Sequence, residues 1–511
     1  MFIKKESHLI VTVKYLLVLP ALAVALLTVQ ASGLHVSECN SSSIPPDEAT
    51  VKKSEAMKTV ETKEVKNTSS EKQNLKEMRD LILSRGIHMS TKRIPDVGRY
   101  FFSGYSMSVF PVELYWDAIM LIHFDNTSLA ENSFKIALNG RRHDGFIPRC
   151  VVTDVTTMEG IPYYHFEQTE HCSPILFQLA LLISRKKGSV NWITESMYET
   201  MKASLTHWEK EWDRDGNGLC EWASAPHGVS DTAFERAGVW QSFFCEGVDL
   251  NSQRYMDYLA GEKIARAMGR KEDAVEFASK AQKIAELVRK IFWDEKEGFF
   301  FDRDIRTGKF IRLKHGHCFH VLESGIATPK QAKRIIEEHL LNPKEFWSPY
   351  PIPSYAMNEP AYRQHYVPPK GSNWVYYLGE GHPNWCGSMW PHQSYPVMHG
   401  LKRYGYTKEA EFLAGKLAEL VDRHSFLYEW YNAETGEGIG THPFFAGAQA
   451  LMVFAHAELK IGFDPYAIEN VDKPLPSVGS VLDLDPISED IFRIGFSSVN
   501  RDPEVEKNFA K

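Results

Sequence analysis

The 511-residue chain has little of what marks several common classes of protein. Its seven cysteines are scattered, and no two have the close spacing of metal ligands, so we expect neither a structural zinc nor a metal cofactor. Acidic residues outnumber basic ones by 66 to 58, and the net charge of −8 argues against nucleic acid as a partner. No short repeat is visible, which argues against a solenoid.

The N-terminal residues 1–31 have the pattern of a secretory signal peptide. Three lysines precede an uncharged run, Tyr15–Val29, that has about the length of a signal core and is short for a membrane span. We expect cleavage near Ala31, with an uncleaved membrane anchor as the alternative, and contact with a membrane only in that case. Three glycosylation triplets fit a secretory or extracellular glycoprotein, and they begin at Asn40, Asn67 and Asn126.

The rest of the chain divides into three parts by composition. Residues 32–75 are rich in Ser, Lys, Glu and Thr and predict a flexible linker. Residues 76–465 carry the apolar periodicity of a folded domain. Residues 466–511 are acidic and contain proline, which predicts a tail that lies along the surface or is disordered.

Most of the predicted domain has helical periodicity. Apolar residues recur at spacings of three and four. The segments with this pattern are Leu129–Leu138, Pro174–Ile183, Thr194–Trp212, Leu250–Met268, Ala274–Trp293, Lys330–Leu341, Met389–Tyr404, Lys408–Arg423 and Phe444–Leu459. The best strand signal is a hairpin that pairs Gly298–Asp302 with Gly308–Ile311. We therefore expect an all-α fold, a toroid of helix pairs with a few short hairpins, whose loops form a cleft at one end.

One stretch, Glu429–Gly438, combines a carboxylate, two aromatic rings and a glycine-rich turn. An aromatic wall can stack on the apolar face of a sugar while the acid group transfers a proton. Such chemistry needs a second carboxylate in the same cleft. Asp231 is the plausible partner, and from the residues alone Glu221 and Glu235 compete with it.

Of three further segments, two favour a sugar-binding cleft and the third predicts a turn. Glu113–Asp117 is an aromatic and acidic cluster that we place just ahead of a helix, with a helix start built from core aromatics as the alternative. Asn384–Pro391 sets two tryptophans around a glycine at the start of a helix, as a platform for a sugar ring. Asp213–Trp222 begins like a calcium loop, but Ser224 holds the twelfth position, so we expect a tight acidic turn. Asp249 is expected to be a helix N-cap.

These segments together resemble the inverting α-glycosidases built on an (α/α)6 barrel, with glycoside hydrolase family 63 as the nearest branch and the trehalases of family 37 as relatives. Glu113–Asp117 resembles the trehalase signature E-x-Y-x-W-D, one residue shorter. Gly145–Arg149 resembles the segment G-x-I-P, and Asn384–Pro391 is similar to Y-W-R-G-P-x-W-P. Gly228–Arg236 resembles E-S-G-x-D-x-S-x-R, and Glu429–Asn432 resembles E-x-Y-D/N. The likeness covers residues 95–460.

The resemblance implies hydrolysis, with inversion and without a cofactor, of an α-linked glucoside or mannoside: an oligosaccharide, a disaccharide or a glycosylglycerate. It makes Asp231 the general acid and Glu429 the general base. The sugar-binding residues it implies are Tyr105, Glu113, Tyr115, Trp116, Asp117, Trp385, Gly387 and Trp390. The chain departs from the family where Gly-Val-Ser precedes Asp231, where Cys386 replaces an arginine, and where His171–Pro174 lacks a glutamine.

Two other classes of protein remain as alternatives. The altered segment before Asp231 is compatible with a glycan-binding protein on an inactive hydrolase scaffold. A polysaccharide lyase can share a helical toroid, but it needs a Tyr or His base and a cation for a uronate. The acidic, tryptophan-rich segments argue against the lyase.

Overall fold

The computed structural model describes residues 91–94, 98–101, 108–149, 151–154, 163–166, 171–222, 244–360, 362, 384–424, 427–439 and 446–476. All of them belong to one compact unit, Asn67–Lys511. The described helices are α1 (Pro111–His123), α2 (Ser128–Asn139), α3 (Leu176–Lys187), α4 (Glu195–Trp212), α5 (Val248–Ala267), α6 (Lys271–Ile291), α7 (His320–Glu323), α8 (Pro329–Arg334), α9 (Pro391–Arg403), α10 (Thr407–Arg423) and α11 (Ala446–Ile461). Short 3₁₀ helices span Gly316–Phe319 and Asn384–Cys386.

The described strands are short and antiparallel. They are β1 (Thr91–Ile94), β2 (Gly98–Phe101), β3 (Ser108–Val109), β4 (Val151–Asp154), β5 (Tyr163–Phe166), β6 (Cys245–Glu246), β7 (Trp293–Asp294), β8 (Phe299–Phe300), β9 (Arg303–Asp304) and β10 (Lys309–Phe310). They form small sheets in the orders β1-β2, β3-β4-β5, β7-β8 and β10-β9-β6. The predicted all-α class with a few hairpins is confirmed.

Alternate helices close into a ring. Helix α1 packs on α3, α3 on α5, α5 on α7, α7 on α9, α9 on α11, and α11 packs back on α1. The intervening helices lie outside this ring, with α2 against α1, α6 against α5, and α10 against both α9 and α11. Within the described residues the fold is therefore the predicted toroid of helix pairs.

The two layers of the toroid differ in their burial pattern. In the outer helix α6 the buried residues form one apolar stripe, namely Ala274, Phe277, Ala281, Ile284, Ala285 and Val288. Such a stripe at spacings of three and four is typical of a helix with one face in water. The inner helix α5 is buried on most sides and carries polar residues into the interior, among them Asn251, Gln253 and Asp257. The inner layer therefore supplies polar groups to the centre of the toroid.

Two inner helices receive their N-terminal caps from elsewhere in the chain. The residues at their N-cap positions, Ile175 and Gly247, make no side-chain capping bond. The backbone N–H of Gln178 in α3 donates to Asp257 at 2.9 Å, and that of Val248 in α5 donates to Asp302 at 2.8 Å. Carboxylates at these ends satisfy backbone donors and complement the helix dipole.

The expectation that Asp249 is a helix N-cap is wrong. Asp249 lies in the first turn of α5, one residue after the helix begins, and Gly247 occupies the N-cap position. Asp302 accepts the first backbone N–H of this helix, and the Asp249 carboxylate accepts the N–H of Leu250 at 2.8 Å.

The predicted hairpin between Gly298–Asp302 and Gly308–Ile311 is also wrong. Strand β8 pairs with β7, and β10 pairs with β9, so two consecutive hairpins replace one. In each turn a glycine with positive φ, Gly298 or Gly308, donates its N–H at 2.8 Å to the carbonyl of an aspartate four residues earlier. The repeated Asp-x-x-x-Gly pattern was the missed signal, since glycine adopts positive φ at low cost.

The predicted helices are confirmed to within a few residues at each end, except that Lys330–Leu341 is α8 followed by a π-helical stretch, Ile335–Leu340. Helix α1 was not predicted, and Glu113–Asp117 lies within its first turns rather than ahead of it. Almost every residue of α1 is buried, which hides the periodicity, although Pro111 at its start is a typical first helical residue.

Packed residues continue beyond position 465. The Arg185 side chain donates to the carbonyls of Ala467 and Lys473, at 2.7 and 3.0 Å, and Val471 and Leu475 are buried. The first part of the predicted tail, up to residue 476, is thus packed against α3.

One predicted glycosylation site has a structural role. Asn126 is 4% exposed, and its side-chain oxygen accepts from the backbone N–H of Leu129 at 3.2 Å, at the start of α2. A buried capping amide is not accessible to a glycosylating enzyme. Asn40 and Asn67 lie outside the described residues, and the glycoprotein prediction rests on them. In the part of the chain that is described, every helix is too short or too polar to span a bilayer.

Candidate active site

Several loop segments meet through short antiparallel bridges. The bridges pair His315 with Tyr355, Pro353 with Met389, and Met389 with Tyr431. Met389 and Tyr431 exchange both backbone hydrogen bonds, at 2.8 and 2.9 Å. The two predicted segments around Trp385 and Glu429 are therefore held side by side, although more than forty residues separate them along the chain.

Three indoles form a stack at this junction. The rings of Trp385 and Trp390 are parallel to within 2° and their centroids are 3.7 Å apart, and Trp390 lies 4.6 Å from Trp430 at 29°. Because Trp390 contacts both other rings, it is the middle member, and its N–H donates to Ser388 at 2.9 Å. The predicted role in stacking on a sugar thus shifts from Trp390 to the outer faces of Trp385 and Trp430. Gly387 lies in the turn between Trp385 and Trp390.

The two outer indoles also keep their N–H groups unused. Nε1 of Trp385 and Nε1 of Trp430 are buried without a hydrogen-bond partner among the residues that the structure describes. Buried polar groups are nearly always paired in proteins, so these two donors are available to a ligand. Sugar hydroxyls would accept from such donors.

A cavity adjoins the indole stack at the centre of the toroid. Its lining residues are Val112, Tyr115, Trp116, Ile175, Gln178, Gln253, Met256, His317, His320, Glu323, His392, Pro396 and Tyr466. The Trp116 ring lies 4.4 Å from the ring of His392, which in turn lies 5.6 Å from Trp385. His317 is 5.1 Å from Trp385 on another side. The predicted residue Trp116 is therefore brought to the same place as the stack.

Helix α1 presents the other predicted sugar-binding residues with different exposures. Glu113 and Asp117 are one turn apart and hence on the same side of the helix, Glu113 half-buried and Asp117 buried. Tyr115 is buried, and its hydroxyl donates to the carbonyl of Pro465 at 2.8 Å. Burial raises the pKa of the Tyr115 phenol well above its usual range. Tyr115 thus contributes its ring to the cavity wall while its hydroxyl is already used.

The predicted base, Glu429, is 7% exposed and directly precedes the outer indole Trp430. The turn that follows is rigid. The side-chain oxygen of Asn432 accepts from the backbone N–H groups of Glu434 and Thr435, at 2.9 and 3.1 Å. Gly436 completes the turn with φ of 71°. This turn and the bridge to Met389 hold the backbone that carries Glu429 and Trp430.

The competing carboxylate, Glu221, has a different setting. Both of its oxygens accept from the backbone N–H of Arg214, at 3.3 and 3.4 Å, and one oxygen lies 3.4 Å from the guanidinium of the same residue. The loop is closed by the carboxylate of Asp213, which accepts from the N–H of Gly218 at 3.0 Å. The expected tight acidic turn is confirmed. Burial raises the pKa of Glu221 to about 7, partly offset by Arg214.

Trp222 belongs to a second apolar cluster, distinct from the indole stack. Its members are Trp208, Cys220, Trp222, Cys245 and Leu250. Among the described residues, the contacts of the Glu221 carboxylate are therefore with Arg214 of its own loop. Asp231, Glu235 and Tyr105 lie outside the described residues, so the assignment of the general acid stays a prediction.

Sequence reasoning missed several residues of the cavity. Gln178 and Gln253 lie on the inner helices α3 and α5, and Oε1 of Gln253 is buried without a partner among the described residues. The Gln178 amide donates to the carbonyls of Pro174 and Gln253, at 3.0 and 3.2 Å. The sequence signal that could have identified both glutamines is a polar residue within a helical segment that is otherwise apolar on most sides. His317 and His392 had no signal in the sequence.

His171, which stands where the family has a different residue, is a structural residue. It is buried, and its ring lies 3.0 Å from the backbone of Ile147 and 3.3 Å from Ser204. Burial lowers the pKa of His171 to about 3, so the imidazole is neutral at physiological pH. This segment lacks the glutamine of the family. The next glutamine along the chain is Gln178, in the first turn of α3, and it lines the cavity.

A ring of helix pairs thus encloses a cavity lined by aromatic, acidic and amide side chains, and a stack of three tryptophans adjoins it. A family model described as "Mannosylglycerate hydrolase MGH1-like glycoside hydrolase domain" matches residues 110–446, and the chain belongs to this family. A mannosylglycerate hydrolase from Rubrobacter radiotolerans is 26% identical over 190 residues, which are 37% of this chain and 39% of that protein. The chain thus aligns with less than half the length of this curated relative.

Solved structures show the same fold. The family 63 mannosylglycerate hydrolase from Thermus thermophilus, in complex with glucose, aligns with a TM-score of 0.60 and 16% identity, over 74% of this chain and 99% of that one. A neutral trehalase from Saccharomyces cerevisiae aligns with a TM-score of 0.50 and 15% identity, over 74% and 79% of the two chains. At these identities the likeness establishes the fold alone, and the predicted (α/α)6 barrel is confirmed.

Proposed function

We propose that this protein is an inverting α-glycosidase that hydrolyses a small α-linked mannoside or glucoside. The observation that supports this best is the position of Glu429, a buried residue that directly precedes the outer indole Trp430 and lies two residues before the backbone bridge to Met389. Membership of the family and the names of its relatives favour glycosylglycerates and trehalose-like disaccharides as the first substrates to test.

In the proposed reaction Glu429 is ionised and activates a water molecule on the face of the sugar opposite the leaving group. Asp231 is the acid that protonates the glycosidic oxygen, at a separation of about 6.5–9.5 Å from the base. Trp385, Trp430 and Trp116 provide apolar faces for the sugar ring. Glu113 and Asp117 accept hydrogen bonds from its hydroxyls.

The substrate is tested by incubating the purified protein with mannosylglycerate, glucosylglycerate, trehalose and α-linked mannobioses and measuring the released sugar. We expect hydrolysis of at least one of them, and none by the Glu429→Gln variant. If no compound is cleaved but calorimetry detects binding of one, the proposal fails and the glycan-binding alternative replaces it.

We also propose that the chain enters the secretory route through residues 1–31. The support is the sequence pattern of that segment and the two remaining triplets at Asn40 and Asn67. Mass spectrometry of the protein from its native cells should find a mature N-terminus near Ala31. An intact N-terminus on a cytosolic protein would contradict this, and an intact N-terminus in the membrane fraction would favour the anchor.

A further inference from the structure

A buried group of potential metal ligands lies behind the cavity wall. Nε2 of His315 is 3.0 Å from a carboxylate oxygen of Asp302 and 3.1 Å from Sγ of Cys318, and the three ligand atoms lie within 4.8 Å of one another. All three side chains are at most 1% exposed. From these observations we propose that Asp302, His315 and Cys318 bind one zinc-type divalent cation.

Local structure explains why the three side chains converge. His315 immediately precedes the 3₁₀ helix Gly316–Phe319, and Cys318 is three residues further on. Side chains three residues apart lie on the same side of a 3₁₀ helix. Asp302 comes from the link between β8 and β9, and its second oxygen is fixed by the backbone N–H of Val248 at 2.8 Å. A ligand carboxylate oriented by such an outer hydrogen bond is usual in metal sites.

The contacts favour coordination over a proton relay. In a Cys–His–Asp relay the thiol and the carboxylate contact opposite nitrogens of the imidazole. Here the shortest contact of each is to the same nitrogen, Nε2 of His315. Ligand atoms around a tetrahedral zinc would be separated by roughly 3.3–3.6 Å, given its bond lengths. An expansion of a few tenths of an ångström would admit the ion.

Charge also favours a divalent cation at this position. A thiolate and a carboxylate together carry two negative charges, and a neutral imidazole adds none, so one divalent ion gives a neutral group. Neutrality matters because a buried net charge is costly. The mixture of sulfur, nitrogen and oxygen donors is one that zinc accepts. The sequence signal is the spacing His-x-x-Cys, which a search of cysteine pairs alone overlooks.

The ion would stabilise the segment that positions the cavity residue His317. His317 lies between the two ligands of the 3₁₀ turn, and its ring is 5.1 Å from Trp385. The bridge between His315 and Tyr355 connects the same turn to the loops around Met389. The effect of the ion on the cavity is thus indirect.

The test measures metal content and not activity. The full chain is purified without chelators from zinc-supplemented medium and analysed by mass spectrometry for metals, beside Cys318→Ser and Cys172→Ser. Cys172 is also a buried free thiol, and it is the matched control. We expect about one zinc per chain in the wild type and in Cys172→Ser, and a loss of most of it in Cys318→Ser.

If Cys318→Ser does not fold, a cobalt titration of the wild-type protein tests the same site. Wild-type protein is stripped of metal with a chelator and titrated with Co²⁺, whose bond to a thiolate gives charge-transfer absorption in the near ultraviolet. We expect this band to saturate at one equivalent and to disappear when Zn²⁺ is added. Absence of the band, or equal zinc in all three proteins, would overturn the proposal.

Discussion

The dipeptide Glu-Trp occurs three times in the chain, and the structure gives two of the copies, Glu221–Trp222 and Glu429–Trp430, different surroundings. In both copies the glutamate and the tryptophan are buried, and the segment forms an isolated antiparallel bridge with a distant strand or loop. Glu221 is bound by Arg214 of its own loop, and Trp222 packs into a closed apolar cluster. Glu429 precedes Trp430, which belongs to the three-indole stack next to the cavity. Local sequence therefore does not decide which copy can do chemistry.

The pKa of a carboxyl group also does not show by itself whether that group is catalytic. Burial raises the pKa of Glu221 to about 7, which is a value suited to a general acid at neutral pH. Yet its oxygens accept hydrogen bonds from the backbone and the guanidinium of Arg214, within its own turn. Geometry has to be considered first, because structural carboxylates also have shifted pKa values.

We expect the largest effect on activity from a substitution of Glu429. Glu429→Gln keeps the shape of the side chain and removes the base, and general base assistance is worth about 10²–10⁴-fold. We expect turnover to fall at least that far, measured on the substrate identified by the screen, with an unchanged melting temperature. The matched control is Glu437→Gln, an exposed residue of the same turn, which should retain full activity. Equal activity in both variants would remove Glu429 from the mechanism.

The second effect is on the pH dependence of stability and concerns Glu221. Its folded-state pKa, about 7, is above the ordinary value of 4.5, so its contribution to stability is fully present below pH 4.5 and is lost as the pH rises towards 7. Glu221→Gln cannot titrate. We therefore expect the melting temperature of the wild type, relative to this variant, to fall between about pH 4.5 and 7.

Turnover by the Glu221→Gln variant shows whether Glu221 takes part in catalysis. Because the carboxylate faces Arg214, we expect turnover within a few-fold of the wild type. A collapse of activity with folding intact would make Glu221 the general acid in place of Asp231, and a Michaelis–Menten measurement of both Glu221→Gln and Asp231→Asn decides between them.

The smallest effect compares the two tryptophans. Trp430→Phe removes an N–H and part of an outer stacking face, and aromatic contacts of this kind are worth about 0.5–1.5 kcal/mol. We expect KM to rise about 3–10-fold while the unfolding midpoint in urea changes little. Trp222→Phe should do the reverse, lowering the midpoint through lost packing against Trp208 with KM unchanged. An equal change of KM in both would mean that the two clusters are not functionally distinct.

Much of the fold was predictable because the outer helices bury a single stripe of residues, as in α6. Helix α1 was not, since burial on nearly all sides removes the periodicity that marks a helix. The caps of α3 and α5 come from Asp257 and Asp302, and contacts between distant segments leave no local signature.

The site was predictable only in its parts. Trp385, Trp390 and Glu429 were found by motif, but their arrangement depends on the bridges from Pro353 to Met389 and from Met389 to Tyr431. Those bridges place Trp390 in the middle of the stack, where its faces are covered. His317 and His392 reach the cavity through the same long-range packing, so no pattern of neighbouring residues could have named them.

The most direct test of the proposed role of Glu429 is the configuration of the first sugar released. In that role Glu429 activates water for hydrolysis with inversion. Proton NMR spectra recorded in the first minutes of the reaction distinguish the two anomers before they interconvert. We expect the β-anomer to appear first from an α-linked substrate, because water attacks from the face opposite the leaving group. If the α-anomer appears first, the reaction proceeds with retention and the proposed role of Glu429 is wrong.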